Sequence, residues 1–228
     1  RWTPVYCFYL MFEEMPKRPS TDVLCQALSK RLGRTELMGG EEKEGPAEGI
    51  YSFLLHEHLV HYEEEKVDMP AQVLLCPPVA TNPTLFEDPL VCSQFWTCPD
   101  KEGLISRCRY TLMASNFMSA TLPLMEEYGI LADYADILLE LFPDCIALYW
   151  PHSQKLMPRG AFENSQWRRK ELHFLDGGIN VRFFRITGTE DMLVDTLGLT
   201  AIGLPDLQCH FHTLDHNDVI WNINNLVA

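Results

Sequence analysis

The stretch from Leu124 to Trp150, "LMEEYGILADYADILLELFPDCIALYW", decides the class of fold. Its first part sets Leu124, Tyr128, Leu131, Ala135, Leu138 and Phe142 at steps of three and four, which is one apolar face of a helix. Asp144 then leads into "CIALYW", an apolar and aromatic run that reads as a buried strand. Upstream, "VYCFYLMFEE" (Val5 to Glu14) reads as a second buried strand. Ser20 or Thr21 caps a helix carrying Val23, Leu24, Ala27, Leu28 and Leu32 on one side, and Gly33 ends it. "RTELM" is a short strand, Gly39 to Gly49 a loop of glycine and acid, and "IYSFLL" and "LVHYEEE" two strands around "HEH". "AQVLLCPPV" and Tyr110 to Met118 add strands, while Pro83, Pro89 and Pro99 break up the segment between them. Downstream, "FENSQWRRKELHFL" reads as helical and "INVRFFRI" as a strand. Asp215 caps a last helix that turns Val219, Ile220, Ile223 and Leu226 inward. No regular strand–helix alternation runs through this order. The prediction is therefore an α+β fold, a mixed and largely antiparallel sheet with packed helices, over residues 1–228 as one domain. A loose likeness between the first strand–helix–strand and Leu124–Trp150 raises the alternative of two related α+β halves, 1–118 and 119–228.

Composition narrows the partners. The 228 residues carry a net charge of -14, and the one dense basic cluster is Arg168-Arg169-Lys170. Phosphate binding needs clustered cations, so nucleic acid is excluded as a partner, and a basic protein suits the surface better. No apolar run approaches the ~20 residues of a membrane helix. The eight cysteines are irregularly spaced with no CxxC pair, several within apolar runs. They read as reduced thiols, which points to the cytoplasm. The chain begins at Arg1, so it reads as a trimmed piece, and nothing near Arg1 has the order of a signal peptide.

The densest polar stretch is "DTLGLTAIGLPDLQCHFHTLDH", Asp195 to His216. His210 and His212 are two apart and share a strand face. With Asp195 or Asp206 as carboxylate they could hold one divalent metal, zinc or manganese. The competing and stronger reading is structural: "GLPD" is a turn, Asp206 bonds backbone within it, and the histidines stud a strand. A second group, His56, His58 and His61, lacks the HExxH spacing and reads as strand histidines beside acids. Cys209 next to His210 suggests a thiol nucleophile, but adjacent strand residues face opposite ways. No GxSxG, GxGxxG or GxxxxGK[ST] occurs. Arg182, if it points inward, needs a carboxylate, and Asp195 is the candidate for a structural ion pair or an anion clamp.

"INVRFFRI" followed by "MLVDTLGLTAIGLPDLQCHFHTLD" resembles the bacterial family catalogued as domain of unknown function 4261. The likeness lies in Asn180-Val181-Arg182, Asp195 to Leu199 and Gly203 to Asp206, with "FYLMFEEMP" and "IALYWPHSQKLM" as further landmarks. It spans most of the chain. The segment after "AQVLLCPPV" matches loosely, and members of that family continue further, which implies a missing C-terminal tail. The resemblance implies a bacterial, cytoplasmic protein and no established chemistry. With no nucleophile, phosphate loop or strong metal pattern, the leading expectation is a non-enzymatic, acidic protein-binding module of immunity or regulatory type, without a cofactor. Its contact would use Glu41, Glu42, Glu44 and the acids to Glu48, together with Glu63 to Glu65, with Arg182, Asp195 and Asp206 as further binding residues. The rival is a metal-dependent hydrolase in which Asp195, Asp206, His210 and His212 lower the pKa of a bound water.

Overall fold

β1 (Cys7–Phe12) is buried on both faces, which is why its sequence is apolar without alternation. Phe8, Leu10 and Phe12 face one core, Tyr9 and Met11 another. The computed structural model describes residues 5–39, 49–64, 66–119, 121–165 and 169–227. After β1 come α1 (Thr21–Leu32), β2 (Thr35–Leu37), β3 (Tyr51–Tyr62), β4 (Val67–Leu75), β5 (Val79–Ala80), α2 (Pro89–Ser93), α3 (Lys101–Arg107) and β6 (Tyr110–Phe117). They are followed by α4 (Leu124–Leu141), β7 (Ala147–Trp150), β8 (Lys155–Pro158), α5 (Arg159–Glu163), α6 (Phe174–Gly178), β9 (Asn180–Arg185), β10 (Met192–Leu197), β11 (Gln208–Phe211) and α7 (His216–Val227).

The large sheet runs β2-β3-β4-β6-β1-β7-β8, with β5 paired to β6, and its strand pairs are antiparallel. The fold is α+β. β1 lies between β6 and β7, so the sheet takes strands from both sides of residue 118. α1 and α4 cover one face. Ser20 caps α1, its hydroxyl accepting from Val23 N, and Leu24, Leu28 and Leu32 point inward. Val23, 44% exposed, lies off the face that the sequence suggested. α4 is buried more widely than its predicted stripe, with Ile130, Tyr134 and Ile137 also inside, and Tyr134 Oη donates to Leu74 O on the sheet at 2.9 Å. The 82–108 segment packs on the opposite face, where Phe95, Cys98, Leu104 and Cys108 meet Met11 and Tyr149.

Two sequence expectations are corrected here. β3 is one strand, not two. Its register with β4 shifts between Leu55 and Leu59, so "HEH" marks a bulge and not an end. "FENSQWRRKELHFL" is not one helix: α5 stops at Glu163 and a short 3-10 turn, Lys170–His173, leads into α6, with residues 166–168 outside the described part.

β9, β10 and β11 form a second antiparallel sheet, with α7 on one side of it. Asp215 caps α7, accepting from Asn217 N at 2.8 Å and Asp218 N at 3.3 Å. Val219 and Ile223 are buried, whereas Leu226 is exposed, and Val227, a turn beyond Ile223, packs on the core in its place. α6 joins the two sheets. The Trp150 indole lies so close to Gly177 that a Cβ there would sit 2.0 Å from it. Ser153 Oγ donates to Gly177 O and Tyr6 Oη to Gly178 O, each at 2.6 Å. At Gly198, with φ 116°, a Cβ would sit 2.2 Å from Gly178 O. Trp150 is wholly buried and cannot swing aside. Gly177→Ala is therefore expected to lower stability by about 1–3 kcal/mol, as overpacked cores do. A urea titration should show it as a lower midpoint with unchanged slope.

Candidate functional site

A cavity of about 590 Å3 opens where β8, α6, β9 and α7 come together, at the seam of the two sheets. Such a volume falls among those of small-molecule sites, about 300–1,000 Å3. Its walls are mainly apolar: Leu175 and Ile179 from the α6 end, Val181 and Phe183 from β9, Ile220 from α7. Trp96, 57% exposed, stands at its edge. The His216 ring stacks on Phe183 with centroids 5.1 Å apart.

Lys155, Asp176 and Asn180 are the polar residues of this lining where β8, α6 and β9 meet, and Thr97, His216, Asn217 and Asn224 are the others. Lys155 opens β8, and its Nζ donates to Ile179 O at 3.2 Å. Burial pulls its pKa from 10.5 down to about 8, against the opposing pull of the Asp176 carboxylate. Asp176 itself accepts from Ser165 Oγ and lies 3.9 Å from His173 Nε2. Asn180, 1% exposed, opens β9, and its Nδ2 finds no hydrogen-bond partner among the described residues. A buried amide N–H left unpaired costs about 1–3 kcal/mol. The site therefore offers an ammonium in a largely apolar wall, while the Asn180 amide nitrogen is closed off behind it.

The C-terminal motif is built differently from the metal reading. Asp195 sits opposite Arg182 in the β9–β10 register, and the two make a fork: Nε to Oδ1 at 2.8 Å and Nη2 to Oδ2 at 2.6 Å. This is the structural ion pair expected for Arg182. Asp206 accepts from Leu199 N and Thr196 Oγ1, each at 3.1 Å, and from Thr200 Oγ1 at 2.6 Å. It fastens the 3-10 turn Leu199–Ile202 to β10. His212 Nδ1 lies 3.0 Å from Asp191 Oδ1, and His210 Nε2 lies 3.6 Å from Asp191 Oδ2. The histidines thus meet Asp191, not Asp195 or Asp206. The reason is register: Leu193 opposes His210, and Asp195 lies a further two residues, about 7 Å, along the strand. Among the described residues no group of three or more His, Cys, Asp or Glu is placed to hold a metal ion. Glu41, Glu42 and Glu44, with the loop to Glu48, lie outside the described residues, as does Glu65.

Other candidates are satisfied in place. His56, His58 and His61 pair with Glu36, Glu126 and Asp68 at 3.0, 2.6 and 2.7 Å, as strand histidines beside acids should. Cys7 Sγ lies 3.8 Å from His152 Nε2, yet that nitrogen donates to Val5 O at 3.1 Å and so cannot take the thiol proton. Burial pushes the Cys7 thiol up to about 11. Buried Glu127 accepts from Asn116 Nδ2 and Ser119 Oγ, while Asn116 Oδ1 accepts from Tyr6 N, a closed structural network. Sequence reading passed over Lys155, and it used Asn180 as part of a strand and of the family likeness. The one signal was a lysine opening the apolar pair Leu156-Met157.

No protein-family model, curated protein or solved structure matches the chain. The described residues contain no helix long and apolar enough to cross a membrane.

Two outcomes are expected. Asp195→Asn leaves the half-buried Arg182 without its charged partner and should lower stability by about 1.5–3 kcal/mol. An Arg182→Met/Asp195→Leu double variant should lose less than that, because no lone charge remains. Chemical denaturation of both variants checks the order. For Lys155 the folded pKa lies below the unfolded one, so between pH 8 and 10.5 the unfolded chain binds more protons at this group. The stability of the wild type relative to Lys155→Met should therefore rise with pH across that window. A constant difference would mean that the ammonium is not desolvated.

Proposed function

We propose that this protein binds a small, largely apolar organic molecule in the cleft between its two sheets, and that it does so without catalysing a reaction. One observation carries the reading: the Lys155 ammonium, bonded only to Ile179 O among the described residues, in the wall of a largely apolar cavity. An ammonium has three donors, and those left over beside a cavity call for a partner that the chain does not supply. An apolar cavity with a few convergent polar groups is the usual form of a small-molecule site. The eight cysteines are all unpaired, which supports a reducing, cytoplasmic setting for this binding. The acidic protein-contact reading lacks such an anchor, because its central acids lie outside the described residues.

A neutral, environment-sensitive dye such as Nile red tests the cleft itself. One equivalent should bind with blue-shifted emission. Asn224 lines the cavity from the exposed side of α7, so Asn224→Trp should lay an indole across it without touching the core. That variant should weaken dye binding about tenfold or more, which corresponds to about 1.4 kcal/mol. Dye binding that the variant leaves unchanged, or no binding by the wild type, would sink the reading.

A further inference from the structure

The polar groups of the cleft restrict what can fill it. Lys155 lines it, and among the described residues the one hydrogen bond Lys155 makes is to Ile179 O. An ammonium has three donors, so its hydrogen-bonding capacity is not used up. Ile179 lines the same cavity, so its carbonyl holds Nζ at that wall. We propose that the cleft takes an apolar monocarboxylate, its carboxylate received by the Lys155 ammonium, its hydrocarbon body lying along Val181, Phe183 and Ile220.

This inference rests on the reading of the cleft as a small-molecule site and specifies its ligand. Donors without a matching acceptor require an acceptor in the ligand. A charged acceptor is favoured over a neutral one because the lysine has lost much of its water, and an anion replaces what the water supplied. The charged and titratable groups facing Lys155 from the surrounding elements are Asp176 at the α6 wall and His216 on α7. Asp176 is already engaged by the Ser165 hydroxyl and stands near His173. It therefore leaves the ammonium to the ligand, yet it repels a second negative group, which disfavours dicarboxylates and phosphate esters. The apolar walls continue away from these polar groups and match a hydrocarbon chain or ring.

Charge pairing also links binding to protons. With burial holding the Lys155 pKa near 8, a bound anion shifts it back upward, so the complex takes up protons around and above that pH.

The test compares decanoate with decanamide, which share shape but not charge, on the full chain with Nile red as the displaced probe. Decanoate should bind about tenfold or more tighter than decanamide, as hydrogen bonds to charged groups imply. Calorimetry at pH 8.5 in two buffers of different ionisation enthalpy should show net proton uptake with decanoate alone. Lys155→Met should bring the two ligands to equal affinity. Should that variant fail to fold, the wild-type preference and the proton uptake decide the matter. Equal displacement of the dye by both ligands would overturn the carboxylate proposal and leave the cleft reading standing. A dye that binds and is displaced by neither would do the same. Absence of dye, acid and amide binding together would overturn both.

Discussion

The contact between Trp150 and Gly177 is the constraint on which the rest of the structure depends. Trp150 ends β7, next to the central strand β1, and its indole packs on Phe8 with ring centroids 4.8 Å apart. Gly177 brings the backbone of α6 directly against that indole, closer than any side chain would allow. Ser153 and Tyr6 then hold the two α6 glycines through their carbonyls. Backbone docked against these side chains in this way fixes where β9 must start, and β9 carries the whole second sheet. Phe174 reinforces the joint, packing edge-on against Tyr6 at 4.8 Å. A surface linker would leave the second sheet free to move. Here the joint is as buried as the core itself.

The cleft follows from that joint. α6 holds β9 beside the end of β8 without pairing the two strands, and α7 closes only part of the remaining gap. The turns that shape the second sheet are tied by Asp206, and its exposed face is tied by the Arg182–Asp195 fork. The motif that looked chemical in sequence is therefore the frame of the cavity wall. Its charged groups are used up in holding strands together, whereas Lys155, with donors to spare, lies at the seam.

Much of the architecture was legible because it rests on local periodicity. α4 shows its apolar stripe openly, and β1 and "CIALYW" read as buried strands because they are buried on both faces. The Arg182–Asp195 pair was also legible, since a half-buried arginine on a strand needs a carboxylate within reach. The bulge in β3 was not, because a register shift leaves no compositional trace. Nor was the partner of the two histidines. Their spacing shows that they share a face, but only the β10–β11 register shows that Asp191, and not Asp195, stands across from them. The cleft was the least legible part. Its lining comes from sites as distant in sequence as Trp96, Lys155, Asn180 and Ile220, and no local pattern connects them.

Lys155 also bears on why the cleft is polar at one end at all. A methionine in its place would remove a desolvated ammonium, and a buried charge is costly unless it is paired. The net charge of -14 gives an anion no general attraction to the surface, and at physiological salt the field of those acids is screened within about 8 Å. Recognition of a carboxylate in such a protein has to be local, and a cation withdrawn from water into an apolar cavity makes it so. Its low dielectric surroundings strengthen a contact that would count for little on the exposed surface.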